Sequence, residues 1–230
     1  MKMIVLFGPQ GSGNHMFSKI FSLHPDVHGW KDLLDPQIEG HYFRPHSTEP
    51  SAWYWNNLDS IDISIMNGKE YAVTSISCPY MNQFMITVPP VFKFMDKLKE
   101  CGIEPIPVMI GRDRNILDIQ QKRIRGGPTW GLAPQLIKWL DKMPFFISTE
   151  LFFLYGKFYI KSLSQQLDFP IAYDDPQIEE MQNEDSNAKY IHYADGTLAD
   201  ELTNYFFEKG TRREIIYPTK NKIKSKKDEG

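Results

Sequence analysis

The residues whose types and spacing most clearly suggest chemistry lie close to the N-terminus. Gly8-Pro9-Gln10-Gly11-Ser12-Gly13-Asn14-His15 joins the apolar run Met3–Phe7 (MIVLF) to a segment in which Phe17, Ile20 and Phe21 recur at helical spacing. Glycines at 8, 11 and 13 let successive backbone N–H groups converge on one anion, and a helix N-terminus adds favourable partial charge. The chemistry on offer is the cradling of a phosphate or a similar anion. A tight strand-to-helix turn is the plainer reading of the same glycines. The triphosphate-binding pattern Gly-x-x-x-x-Gly-Lys-Ser/Thr needs a lysine and a hydroxyl where this chain has Asn14 and His15. Nucleotide-kinase chemistry built on that lysine and a magnesium-ligating hydroxyl is therefore disfavoured. His15 can carry charge to the loop or simply sit, solvated, at the helix start.

Such a loop works only if a sheet and its helices hold it. Met3–Phe7, Tyr71–Ile76, Ile106–Ile110 and Phe169–Tyr173 read as strands. Between them the spacing predicts helices over 14–23, over about 91–98 with Gly102 as C-terminal cap, and from Ile116 to Arg123. A single long helix is predicted over about 149–166, capped by Ser148 and carrying the stripe Leu151, Leu154, Tyr155, Phe158 and Tyr159. Strands alternating with helices imply an α/β fold of three layers, a mostly parallel sheet with helices on both faces. Ligands of such sheets lie beyond the carboxyl ends of the strands. Candidate sites are thereby confined to Gly8–His15, Ser77–Pro79, Gly111–Arg114 and Asp174–Asp175. Residues 40–68 mix proline, histidine and aromatics without a period and read as an irregular insertion within a single domain spanning 1–218. The lysine-rich stretch 219–230 reads as a disordered tail.

The chain has 230 residues, with 26 Lys+Arg against 29 Asp+Glu for a net charge of −3. That balance argues against nucleic acid as a partner and against a polybasic membrane binder. At 41% hydrophobic and 24% charged the composition is globular, and a chain of this length buries roughly 70–75% of its unfolded surface without needing staples. Cys78 and Cys101 are the only cysteines, and neither belongs to a Cys-x-x-Cys pair or a cluster with zinc spacing. No metal site is expected, and a reducing compartment is. The N-terminal apolar run is too short for a signal-peptide core, and no window is long enough to span a bilayer. A soluble, cytoplasmic protein is the expectation; the oligomeric state is not readable.

Three short motifs together give the chain a family resemblance. The loop Gly8-Pro9-Gln10-Gly11-Ser12-Gly13-Asn14, the helix tail Leu23-His24-Pro25-Asp26-Val27 and the strand end Ile110-Gly111-Arg112-Asp113 resemble the sulfotransferase family. These are P-loop-like enzymes that take sulfuryl from 3′-phosphoadenosine 5′-phosphosulfate, and the resemblance implies a P-loop NTPase-like version of the fold. The family loop reads Gly-x-x-(Arg/Lys)-Ser-Gly-Thr, so Gly8, Gln10, Gly11, Ser12, Gly13, Asn14 and His15 are implied to hold the donor. The resemblance covers about residues 2–175.

It also implies roles elsewhere. Arg112 would bind the donor's 3′-phosphate, which a planar guanidinium at a strand end can fork; an ordinary ion pair at the start of a helix is the alternative. The family's serine eight positions later is here Gln120. In Trp30-Lys31-Asp32-Leu33, Asp32 would be the general base and Lys31 would lie near donor or acceptor, whereas the bland alternative is an exposed charged pair. Tyr173-Asp174-Asp175 and Lys209-Gly210-Thr211-Arg212 are fainter matches. Two departures stand out: Gly11 replaces the loop cation, and Ser77 stands where many members have a lysine. His15, Lys31 or Arg114 could supply the lost charge. The implied function is transfer of sulfuryl, without metal, to a hydroxyl or amine of a small-molecule or glycan acceptor; His41-Tyr42-Phe43 and Trp53-Tyr54-Trp55 in the insertion could stack on an acceptor, although such aromatic clusters more often anchor a loop to its core. A P-loop kinase, or a nucleotide-binding module that has lost its chemistry, are the alternatives.

Overall fold

In the computed structural model, residues 1–29, 58–61, 68–82, 85–125 and 145–183 are described. The first apolar run becomes β1 (Lys2–Gly8), whose residues Met3–Gly8 are all buried. It pairs in parallel with β3 (Tyr71–Ser77) on one side and β6 (Glu104–Gly111) on the other. With β2 (Val27–His28) beside β3, and β7 (Phe145–Ser148) beside β6, the order is β2-β3-β1-β6-β7 in a five-stranded, wholly parallel sheet. The short β4 (Tyr80–Asn82) and β5 (Met85–Thr87) form a separate antiparallel pair. In sheet order the strands run 2-3-1-4-5, which is neither the dinucleotide-binding nor the flavodoxin-like order. The chain leaves β1 toward one edge and returns later to its other side. The carboxyl end of β1 is thus the switch point, the place where parallel sheets of this kind bind their ligands.

The alternating side chains of β1 explain why helices cover both faces. Ile4 and Leu6 pack with Phe17, Ile20 and Phe21 of α1 (Asn14–Ser22), Phe152 of α4 (Thr149–Tyr155), and Ile160, Leu163 and Leu167 of α5 (Lys157–Leu167). Met3, Val5 and Phe7 pack on the other face with Val91, Phe94, Met95 and Leu98 of α2 (Val91–Glu100). A strand buried on both faces must be apolar throughout, which is why β1 shows no polar alternation. The expected α/β fold of three layers is therefore found. α3 (Arg114–Arg125) starts at the carboxyl end of β6, and α6 (Pro176–Asn183) adds Ile178 to the first core. Gly102 follows α2 at φ +76°, as a terminating glycine should.

Three expectations need correction. The long helix over 149–166 is two helices, broken at Gly156, whose φ of 50° and ψ of −127° no other residue adopts easily. A Cβ there would also strike the side chain of Gln182. Of the predicted stripe only Tyr159 packs against the core; Leu151, Leu154, Tyr155 and Phe158 are exposed, Leu154 by 70% and Phe158 by 73%, while Phe152, Ile160, Leu163 and Leu167 face the sheet. Ser148 does cap α4, accepting from the Leu151 N–H at 3.3 Å, a contact worth about 1 kcal/mol.

Phe169–Tyr173 is not a strand. Tyr173 N–H donates to the Ile171 carbonyl at 2.9 Å and Asp175 N–H to the Ala172 carbonyl at 3.0 Å, so the chain turns on itself. Phe169 and Ile171 are buried in the first core, with the Phe169 ring edge-on to Phe21 and Tyr71. The place beside β6 belongs to β7, a four-residue strand that the sequence reading missed. Consequently Asp174–Asp175 is not a strand end, and that candidate site dissolves.

Candidate functional site

The parallel register brings the strand ends to one level. Gly8 lies opposite Ser77, and Gly111 opposite Ser148. The segments leaving the strands therefore meet on one edge of the sheet: the glycine loop after β1, Cys78 after β3, Arg112 after β6 and Thr149 after β7. The loop leads directly into α1, with Gly13 as N-cap at φ 99° and ψ 18° and no side-chain cap. The first turn of any α-helix has N–H groups without intrahelical partners, and here the N-cap residue is a glycine with no side chain to offer them.

Each carbonyl from Gly8 to Gly13 accepts a hydrogen bond. The Gly8 oxygen takes the Cys78 N–H at 2.7 Å and the Asn14 Nδ2 at 3.3 Å. The Pro9 oxygen takes the Ser12 N–H at 3.0 Å and Asn14 Nδ2 at 3.3 Å. Gln121 Nε2 donates to the Gln10 oxygen at 2.6 Å, Arg112 Nη1 to the Gly11 oxygen at 2.6 Å, and Thr149 Oγ1 to the Ser12 oxygen. The Gly13 oxygen takes the Phe17 N–H at 3.0 Å. Backbone carbonyl dipoles that would repel an anion are thereby each engaged at least once. The Asn14 amide, in the position of a triphosphate-binding lysine, also donates to Ser77 Oγ at 3.4 Å and is held at the base of the loop.

Arg112 reaches across from β6. Besides the Gly11 oxygen its Nη1 donates to Gln120 Oε1 at 2.8 Å, so Arg112 and Gln120 form one unit against the loop. Burial lowers the Arg112 pKa from its usual value, and the nearby Glu150 carboxylate opposes that shift. Glu150 in turn accepts the Asp113 N–H at 2.9 Å and the Ser148 hydroxyl at 2.9 Å, tying the start of α3 to the start of α4. Tyr159 completes this edge by accepting the Ser148 N–H at 2.8 Å, while burial raises its own pKa.

Several buried polar atoms at this site have no hydrogen-bond partner: Ser12 Oγ, Asn14 Oδ1 and Arg112 Nε. Ser12 is 0% and Asn14 4% exposed. Orphaned polar atoms are rare in native interiors and call for an explanation. Here they gather around one loop.

Of the residues singled out by sequence, Gly8, Gln10, Gly11, Ser12, Gly13, Asn14, His15, Arg112 and Gln120 lie together at this edge. His15 is half-buried in the first turn of α1, whereas Arg114 is exposed at the start of α3. Lys31, Asp32, the aromatic residues 41–43 and 53–55, and residues 209–212 lie outside the described residues. The sequence reading missed Gln121, which is fully buried, and Thr149, which is 1% exposed. A signal for Thr149 did exist: the apolar Phe145-Phe146-Ile147 followed by Ser148-Thr149-Glu150 is a short strand running into a capped helix. Gln121 had none. Cys78 is buried, and burial pushes its thiol up to about 12, which disfavours the thiolate in the folded protein.

Among the described residues, no group of three or more His, Cys, Asp or Glu could hold a metal ion, and no helix is long and apolar enough to cross a membrane. No model of a known protein family matches the chain, and a search of curated proteins finds none significantly similar to it.

Proposed function

We propose that this chain is a sulfotransferase-like enzyme that moves a sulfuryl group from 3′-phosphoadenosine 5′-phosphosulfate to a hydroxyl or amine of a small-molecule or glycan acceptor. The observation that carries the reading is that every backbone carbonyl from Gly8 to Gly13 accepts a hydrogen bond. A loop whose backbone carbonyls each accept a hydrogen bond, at the switch point of a parallel sheet and ahead of a helix with no side-chain N-cap, suits the phosphosulfate end of such a donor. Asn14, tied to the base of the loop, is not available as a triphosphate-binding lysine would be, which weighs against a kinase.

In the reaction the acceptor oxygen or nitrogen forms a bond to sulfur as the bond from sulfur to the bridging phosphate oxygen breaks. The products are the sulfated acceptor and adenosine 3′,5′-bisphosphate, and the acceptor's proton passes to a base, the role assigned to Asp32.

Three nucleotides separate the readings by thermal shift. Adenosine 3′,5′-bisphosphate is expected to stabilise the protein more than AMP or magnesium-ATP does, and label from radioactive donor is expected on a member of a panel of sugars, phenols and amines. Asp32→Asn should lower kcat and leave donor affinity intact. Equal stabilisation by AMP and the bisphosphate would overturn the proposal. Preference for magnesium-ATP would favour a kinase, and binding without transfer would favour a module that has lost its chemistry.

A further inference from the structure

The loop Gly8–His15 contains no lysine or arginine, yet an anion enclosed at a protein surface needs a cation to balance it. We infer that Arg112 supplies that charge from the neighbouring strand, with Gln120 as its positioning residue, and that it serves the loop-bound anion, not a phosphate elsewhere on the ligand. The inference rests on the reading of the loop as an anion cradle.

Three observations support it. Arg112 Nη1 lies 2.6 Å from the Gly11 oxygen, so the guanidinium is fixed against the loop itself, a contact spanning 101 positions of sequence. Its Nε is buried without a hydrogen-bond partner, next to a loop whose Ser12 Oγ and Asn14 Oδ1 are likewise unpartnered. A buried guanidinium donor left over in this way has capacity for one more acceptor. Finally, Gly11 and Gln120 are fitted to each other. A Cβ on Gly11 would lie 2.9 Å from Gln120 Oε1, the same oxygen that accepts from Arg112 at 2.8 Å. The room left by a missing side chain at position 11 is thus occupied by the amide that aims the arginine. Position 11 has no charge of its own, and the structure brings one to its carbonyl.

This assignment differs in a measurable way from a role at the 3′-phosphate. AMP and adenosine 3′,5′-bisphosphate share the 5′-phosphate and differ only in the 3′-phosphate. Arg112→Ala is expected to weaken both by the same factor, about tenfold to a hundredfold, as befits loss of a charge-assisted contact. The ratio of the two affinities should stay as it is in the unmutated protein. Inorganic pyrophosphate, which has no ribose, should lose a comparable factor. Arg112→Lys keeps the charge without the fork and should recover part of the loss. Gln120→Ala should weaken all three ligands, and combining it with Arg112→Ala should cost little beyond Arg112→Ala alone, because Gln120 acts through the arginine.

Collapse of the ratio in Arg112→Ala, with AMP binding unchanged, would overturn the inference and return the arginine to the 3′-phosphate. So would full additivity of the two substitutions. If the unmutated protein binds AMP and the bisphosphate equally and Arg112→Ala weakens both, the sulfotransferase reading fails while this inference stands. If the unmutated protein binds none of the three ligands, both fail. Circular dichroism on each variant, with Arg112→Lys and Gln120→Ala as the milder changes, separates loss of binding from loss of fold.

Discussion

Gly8→Val is expected to destabilise the protein by about 3 kcal/mol or more, near the top of the range for overpacking a core. Gly8 closes the central strand, where a Cβ would lie 2.6 Å from the Ile110 carbonyl oxygen and 2.6 Å from Ser12 Oγ. The serine could rotate away. The Ile110 oxygen cannot, because it belongs to β6, which is held by β1 on one side and β7 on the other. Relief would have to come from pushing β6 away from β1, and that would break the ladder running from Lys2–Glu104 to Phe7–Met109. Urea titration followed by tryptophan fluorescence measures the loss. Gly8→Ala should show a smaller loss of the same sign. A shift below about 0.5 kcal/mol for the valine would mean that the close approach of these strands is not what demands a glycine.

Gly13→Val should lower affinity for adenosine 3′,5′-bisphosphate more than a hundredfold while leaving most of the fold's stability in place. At φ 99° Gly13 occupies a backbone region that β-branched residues strongly avoid. A valine would drive the residue back to negative φ and so rotate the Ser12–Gly13 peptide, whose carbonyl is held by Thr149 Oγ1. The new side chain would press on that hydroxyl as well, since a Cβ at Gly13 lies 3.1 Å from it. The loop would lose both its left-handed turn and its anchor on α4, and with them the alignment of donors that an anion requires. Gly13→Ala should fall between the two. Titration calorimetry with the bisphosphate decides the matter: a folded valine variant with unchanged affinity would show that the loop's shape is not what binds.

How much of this was readable in advance depended on whether a feature was local. β1, the loop and α1 were legible because six consecutive buried residues, a glycine cluster and an amphipathic run succeed one another directly. The turn at Phe169–Tyr173 was misread because Phe169 and Ile171 are buried at alternate positions, as in a strand, although the cause is packing beneath α1 and not pairing in the sheet. The break at Gly156 was missed because a pattern of large apolar residues continues across it at 154, 155, 158 and 159. Only the backbone turn at the glycine decides that the buried side runs through Phe152, Ile160, Leu163 and Leu167 instead.

In the site, the loop, Arg112 and Gln120 were visible, and the contacts of Gln121 and Thr149 with the loop were not. Gln121 on the Gln10 oxygen and Thr149 on the Ser12 oxygen join residues 111 and 137 positions apart. No periodicity or spacing encodes such partners, which arise only from parallel strands ending at a common level.

Cys78 gives that arrangement a clock. Its N–H is bound to the Gly8 oxygen, its side chain is 0% exposed, and burial pushes its thiol up to about 12. A thiol so protonated and enclosed meets a disulfide reagent only in the moments when the floor beneath the loop comes apart. Cys101, half-buried just beyond α2, reacts in the same chain and serves as an internal reference. The ratio of the two reaction rates counts how often the base of the loop breathes, without any label having to be introduced. A ligand that tightens the loop is expected to slow Cys78 and leave Cys101 as it was, so that occupancy is followed by thiol chemistry even for molecules that are never turned over.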